Sequence, residues 1–120
     1  MAPPLYSINM AEIRGLSGGA LEERYVPAGK RWVVRDIDAY ASVVVGTGVQ
    51  LVISSRLQDQ TFCYMEWIAL ERASKHWDGR QVINYAEGLG AIKIQNFGAE
   101  AVDVTISGYE LEDPDARGPG

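Results

Sequence analysis

Glycine and small polar clusters cut this chain into short runs of β-branched and aromatic residues, and that punctuation constrains the fold more than any other feature. The period inside the runs is two. Over residues 101–110, Val102, Val104 and Ile106 alternate with Asp103, Thr105 and Ser107, which gives one apolar face and one wet face. In residues 89–96, Ile92 and Ile94 alternate with Lys93 and Gln95. Residues 96–100 read as a short hairpin loop between these two runs. Further strands are expected at residues 22–26, 31–42, 49–54, 61–70 and 81–85. The run 31–42 is mixed on both sides: Val33, Arg35, Ile37 and Ala39 alternate with Trp32, Val34, Asp36, Asp38 and Tyr40. A strand of that kind bends or changes partners along its length. Gly46-Thr47-Gly48 reads as a turn, and residues 70–76, which lack a sustained helical period, read as a loop. The pattern predicts an all-β fold: a single antiparallel β-sandwich, jelly-roll-like.

The chain has 120 residues, 47% of them hydrophobic and 22% charged. That is one domain, large enough to bury about two-thirds of its unfolded surface without a disulfide or metal. Residues 1–19 hold Pro3, Pro4, Gly15, Gly18 and Gly19 among scattered apolar residues, and read as an extended N-terminal arm. Residues 20–112 read as the sandwich and residues 113–120, rich in Pro and Gly, as a short C-terminal tail. A net charge of -5 argues against nucleic acid as a partner, because phosphate binding needs clustered Lys and Arg. No apolar run approaches the roughly 20 residues needed to cross a bilayer, and no basic start precedes an apolar stretch. No membrane partner and no export are expected.

The chemistry available is narrow, with one His and one Cys. A cupin-type metal site needs several histidines, and only His76 exists. An oxygen-only cation site from Asp36, Asp38 and a facing Glu66 is conceivable, but a solvated strand face is the plainer reading. Cys63 sits between Phe62 and Tyr64 in an apolar run and reads as a core residue; a dyad with His76 lacks a third orienting group. No pair among the 16 acidic residues stands out for glycoside hydrolysis. The glycine-rich residues 15–19 lack the Lys-Ser/Thr of a phosphate loop. Trp32, Tyr40, Tyr64, Trp67, Trp77 and Tyr85 would suit a sugar-stacking platform, although core filling is their ordinary use. No catalytic, cofactor-binding or metal-binding residue is therefore assigned, and the expected class is non-enzymatic.

One segment resembles a known group. Val26-Pro27-Ala28-Gly29-Lys30-Arg31-Trp32-Val33-Val34-Arg35-Asp36-Ile37-Asp38 is similar to the opening of small β-sandwich virion proteins of tailed bacteriophages, notably those of actinobacteria. The stretches 77–82 and 101–111 look similar to the same group. The resemblance implies a structural virion protein, often a minor tail protein, assembled in the host cytoplasm. A capsid decoration protein and a carbohydrate-binding or host-adsorption module are the alternatives. The implied partners are further copies of the chain and other virion proteins, with a host-surface glycan as a further candidate. Leu5, Tyr6, Ile8, Met10 and Ile13 in the arm, with Trp77 and Pro114, are the expected interface residues.

Overall fold

The computed structural model describes residues 6–44, 48–57 and 60–113. They form eight strands: β1 (Tyr6–Leu16), β2 (Leu21–Tyr25), β3 (Lys30–Ser42), β4 (Val49–Ser55), β5 (Gln60–Trp67), β6 (Arg72–Asn84), β7 (Ala91–Asn96) and β8 (Val102–Glu112). One turn of 3-10 helix, Ala86–Gly88, precedes β7. Two four-stranded sheets result, ordered β1-β8-β3-β6 and β2-β7-β4-β5. Their connectivity is that of one long hairpin rolled up. β1 pairs with β8, β2 with β7, β3 with β6 and β4 with β5, all antiparallel. Rolling adds β3 against β8 and β4 against β7. This is the jelly roll, and the all-β sandwich read from the sequence is the observed fold.

The alternation in β8 does what its period requires. Val102, Val104 and Ile106 are at most 1% exposed, and the residues between them are half-buried on the outer face. The facing layer is Leu51 and Ile53 from β4 with Ile92 and Ile94 from β7, all without exposed surface. Each such side chain contributes roughly 1.5–3 kcal/mol by leaving water.

The mixed faces of β3 have a specific cause. Val34 pairs with Gly108 and Asp36 with Ser107, so Arg35 is an extra residue, a β-bulge. The bulge exchanges the two sides of the strand. Trp32 and Val34 point inward before it, and Ile37, Ala39 and Ala41 after it.

Three expectations are corrected. Residues 6–16 are not a free arm: they are edge strand β1, hydrogen-bonded to β8, with Met10, Ala11, Ile13 and Leu16 buried in the core. The pattern was hidden because β1 has two irregularities in register, at Met10 and before Leu16, and each shifts the apolar period. Residues 70–76 are mostly strand, since β6 begins at Arg72. This half of β6 lies at a sheet edge, where Ala73 and Lys75 replace large apolar residues on the inward side and blur the period. Residues 96–100 are not a hairpin, because β7 and β8 belong to different sheets and the loop crosses between them. The turn at Gly46 and Thr47 and the tail after Asp113 lie outside the described residues.

Candidate functional site

The expected interface residues scatter. Met10 and Ile13 are 5% and 8% exposed and belong to the core, so they are not available to a partner. Ile8 is half-buried against that core. Tyr6 opens β1 opposite Glu110. Trp77 is half-buried on β6 with its ring 5.5 Å from Phe62. Leu5 and Pro114 lie outside the described residues.

The aromatic platform does not assemble either. Trp67 is 1% exposed, donates its indole N–H to the Ala73 carbonyl at 2.8 Å, and lies under the Lys75 ammonium at 5.6 Å. It fastens edge strand β5 to edge strand β6 across the two sheets. Trp32 is 6% exposed and donates to Glu110 at 3.1 Å. Tyr64 and Tyr40 are exposed, but on different sheets.

The groups with chemical potential are also kept apart. Cys63 is 2% exposed in the core, and burial pushes its thiol up to about 11, which removes thiolate at neutral pH. His76 lies in an exposed position on the other sheet. Its Nδ1 is 2.7 Å from Asp38 Oδ1 and its Nε2 is 3.5 Å from Asp36 Oδ1. Hydrogen bonding to Asp38 holds the imidazole above its ordinary value against the opposing effect of desolvation, and the charges of Asp38, Asp36 and Asp78 add to the rise. Glu66 sits on β5 and accepts from the Tyr64 hydroxyl at 3.1 Å, so it never faces Asp36 and Asp38. With both ring nitrogens of His76 turned to separate carboxylates, the cluster has no common focus. Among the described residues no group of three or more His, Cys, Asp or Glu is placed to hold a metal.

Two surfaces stand out. The first is the end of the sandwich where β1–β2, β3–β4, β5–β6 and β7–β8 connect. The described residues of its loops are joined to one another by backbone hydrogen bonds. Gly19 N donates to Asn96 O at 2.7 Å, Val43 N to Glu71 O at 2.9 Å, Phe97 N to Gln50 O at 2.8 Å and Ala99 N to Gly48 O at 3.0 Å. The approach is close enough to require glycine: a Cβ on Gly98 would stand 2.4 Å from Gly48 O, and one on Gly18 would stand 2.6 Å from Gly98 O. Buried Asn96 completes the clasp. Its Nδ2 donates to Leu16 O at 3.0 Å and Glu100 O at 2.8 Å, and its Oδ1 accepts from Gly98 N at 2.8 Å. The sequence reading placed Asn96 at the loop but not in this role. Its position directly after the alternating Ile92 and Ile94, two residues beyond the last inward side chain, is the signal that points to it.

From this rigid frame four large apolar side chains project into solvent: Val44 (50% exposed), Ile68 (67%), Leu70 (67%) and Phe97 (56%). Leu70 adopts φ 69°, a left-handed conformation that is costly for a branched side chain and keeps it on the outside. An open hollow of about 480 Å³ lies beside Phe97, lined also by Gln50, Glu66 and Trp67.

The second surface is the polar outer face of the β1-β8-β3-β6 sheet, where Tyr40, Asp38, Asp103, Ser74, Thr105 and Arg14 line a shallow groove of about 350 Å³. No protein-family model matches the chain, and no curated protein matches its sequence.

Proposed function

We propose that this chain is a non-enzymatic structural protein of a tailed-bacteriophage virion, a small jelly roll that self-associates and docks on the particle as a minor tail protein. The observation that carries the reading is the set of four exposed apolar side chains, Val44, Ile68, Leu70 and Phe97, on hydrogen-bonded loops at one end of the sandwich, two of them two-thirds exposed. Large apolar side chains held out in solvent at one end suit a surface that a partner covers. Rigid loops lose little entropy when they dock, so Leu70 and Phe97 suit the anchor positions of an interface. The segment of residues 26–38 that resembles phage virion proteins supports the same reading. In the fold it is the β2–β3 turn, with Gly29 at φ 79°, running into the bulged strand β3.

The test is localisation. Immunogold labelling of particles from the phage that encodes the chain is expected to mark the tail. Label over the head would move the protein to capsid decoration, and particles without label would contradict the proposal. Replacing Leu70→Ser together with Phe97→Ser is expected to lower incorporation at least tenfold while leaving the circular dichroism spectrum unchanged. Incorporation at the normal level would remove the loop end as the docking surface.

A further inference from the structure

The groove on the outer face of the β1-β8-β3-β6 sheet is left unused by the structural reading, and strand register builds it. Tyr40 sits at its centre, paired with Ser74 of β6 on one side and Asp103 of β8 on the other. One rung along, Asp38 stands between His76 and Thr105. Arg14 of β1 closes the side beyond β8. Rungs on one face are about 7 Å apart along a strand and about 4.8 Å apart between strands, spacings on the scale of a single sugar ring.

Three of the groove's charged side chains already have partners in the structure. Asp103 Oδ1 accepts the Gly15 N–H at 2.7 Å, which fixes the carboxylate and leaves it further acceptor capacity. Asp38 is fixed in the same way by His76 at 2.7 Å. Arg14 donates to Glu12 at 3.1 Å and retains other N–H donors. Tyr40 is 44% exposed and is the one aromatic side chain lining the groove. Two carboxylates beside a ring disfavour an anion. The Arg14 guanidinium in the lining disfavours an organic cation, and no group of three or more His, Cys, Asp or Glu among the described residues is placed to hold a metal. A wholly apolar ligand would strand the polar groups unpaired. A neutral polyhydroxylated ring meets every requirement: its C–H face rests on Tyr40, its hydroxyls donate to Asp38 and Asp103, and its oxygens accept from Arg14.

We propose that this groove binds a neutral pyranose, the terminal sugar of a glycan. This goes beyond the structural reading, since a particle protein keeps its place whether or not the groove is filled. The site is small and open, so a single sugar should bind with a dissociation constant on the order of 1 mM.

The experiment is NMR titration of the full chain with the methyl pyranosides of glucose, galactose, mannose and N-acetylglucosamine. At least one is expected to shift the signals of Tyr40, Asp103 and Thr105 together. Tyr40→Ala should weaken that binding at least tenfold, and Tyr40→Phe should retain it because the ring remains. Asp103→Asn keeps an acceptor for Gly15 and should also weaken binding. Tyr64→Ala, on the other sheet, should leave it unchanged. No shift in the groove with any of the four sugars, or equal binding by Tyr40→Ala, would overturn the proposal.

Discussion

At Gly108 the chain has no room for a side chain: a Cβ there would stand 2.0 Å from the Val33 carbonyl oxygen and 3.0 Å from Arg35 N. The crowding comes from the Arg35 bulge on the neighbouring strand, so Gly108 and Arg35 form one device. Backbone cannot yield as a flexible side chain can. Gly108→Ala is therefore expected to cost at least the roughly 1–3 kcal/mol typical of overpacking. Urea denaturation measures it, and a stability equal to that of the wild type would contradict the bulge. His76 offers a second test at this scale. It faces Asp36 and Asp38 from β3 and Asp78 from its own strand, while β8 presents the uncharged Thr105 and Ser107 and β1 presents Glu12 and Arg14 paired together. Its value is raised in the folded state, so the stabilisation is present below about 6.5 and is lost as pH rises through the raised value. The His76 ring protons should titrate above 6.5, and Asp38→Asn should bring the midpoint down. A midpoint unmoved by that change would show that the 2.7 Å contact is not made in solution.

Elements were legible where one face is apolar and continuous. β8 and the middle of β7 announce themselves by alternation because both are central strands with strands on either side. Edge strands were less legible. β1 carries two register irregularities, and the first half of β6 needs only Ala73 and the stem of Lys75 on its inner side. β2 shows how an edge is protected. Glu22 and Arg24 pair opposite Ile94 and Ile92, on the inward side, and bond each other at 2.9 Å. Inward charges on an edge strand discourage pairing with another sheet. The same logic gives a prediction about β1. Removing residues 1–5 should leave the protein folded, whereas removing residues 1–16 strips four buried side chains and bares the β8 edge. The longer truncation is expected to aggregate or to lose its cooperative thermal transition by circular dichroism. A folded, soluble product would mean that β1 is dispensable.

For the whole molecule, the jelly roll follows from pairings that sequence pattern does not encode. Alternation tells which residues face inward but not which sheet a strand joins, and so residues 96–100 read as a hairpin when they cross between sheets. The candidate surfaces were less legible still. Leu70 and Phe97 fall in or beside segments that read as loops, and only the bonds that hold those loops reveal the exposure of the side chains. Tyr40 and Asp103 are 63 positions apart by their numbers and meet because β3 lies beside β8. The fold also separates Cys63 and His76, and it buries Trp67 and Trp32. Among what it leaves outside are an apolar loop end and a polar groove, which together suit a protein that attaches at one place and presents a face at another. We propose that this chain is a stoichiometric part of a phage particle. Quantitative mass spectrometry of gradient-purified particles tests it most directly. The chain should co-sediment with the particles at a fixed, small copy number relative to the major capsid subunit, as a minor tail protein does. Its confinement to the soluble fraction of the lysate, with none in the particle band, would contradict the account.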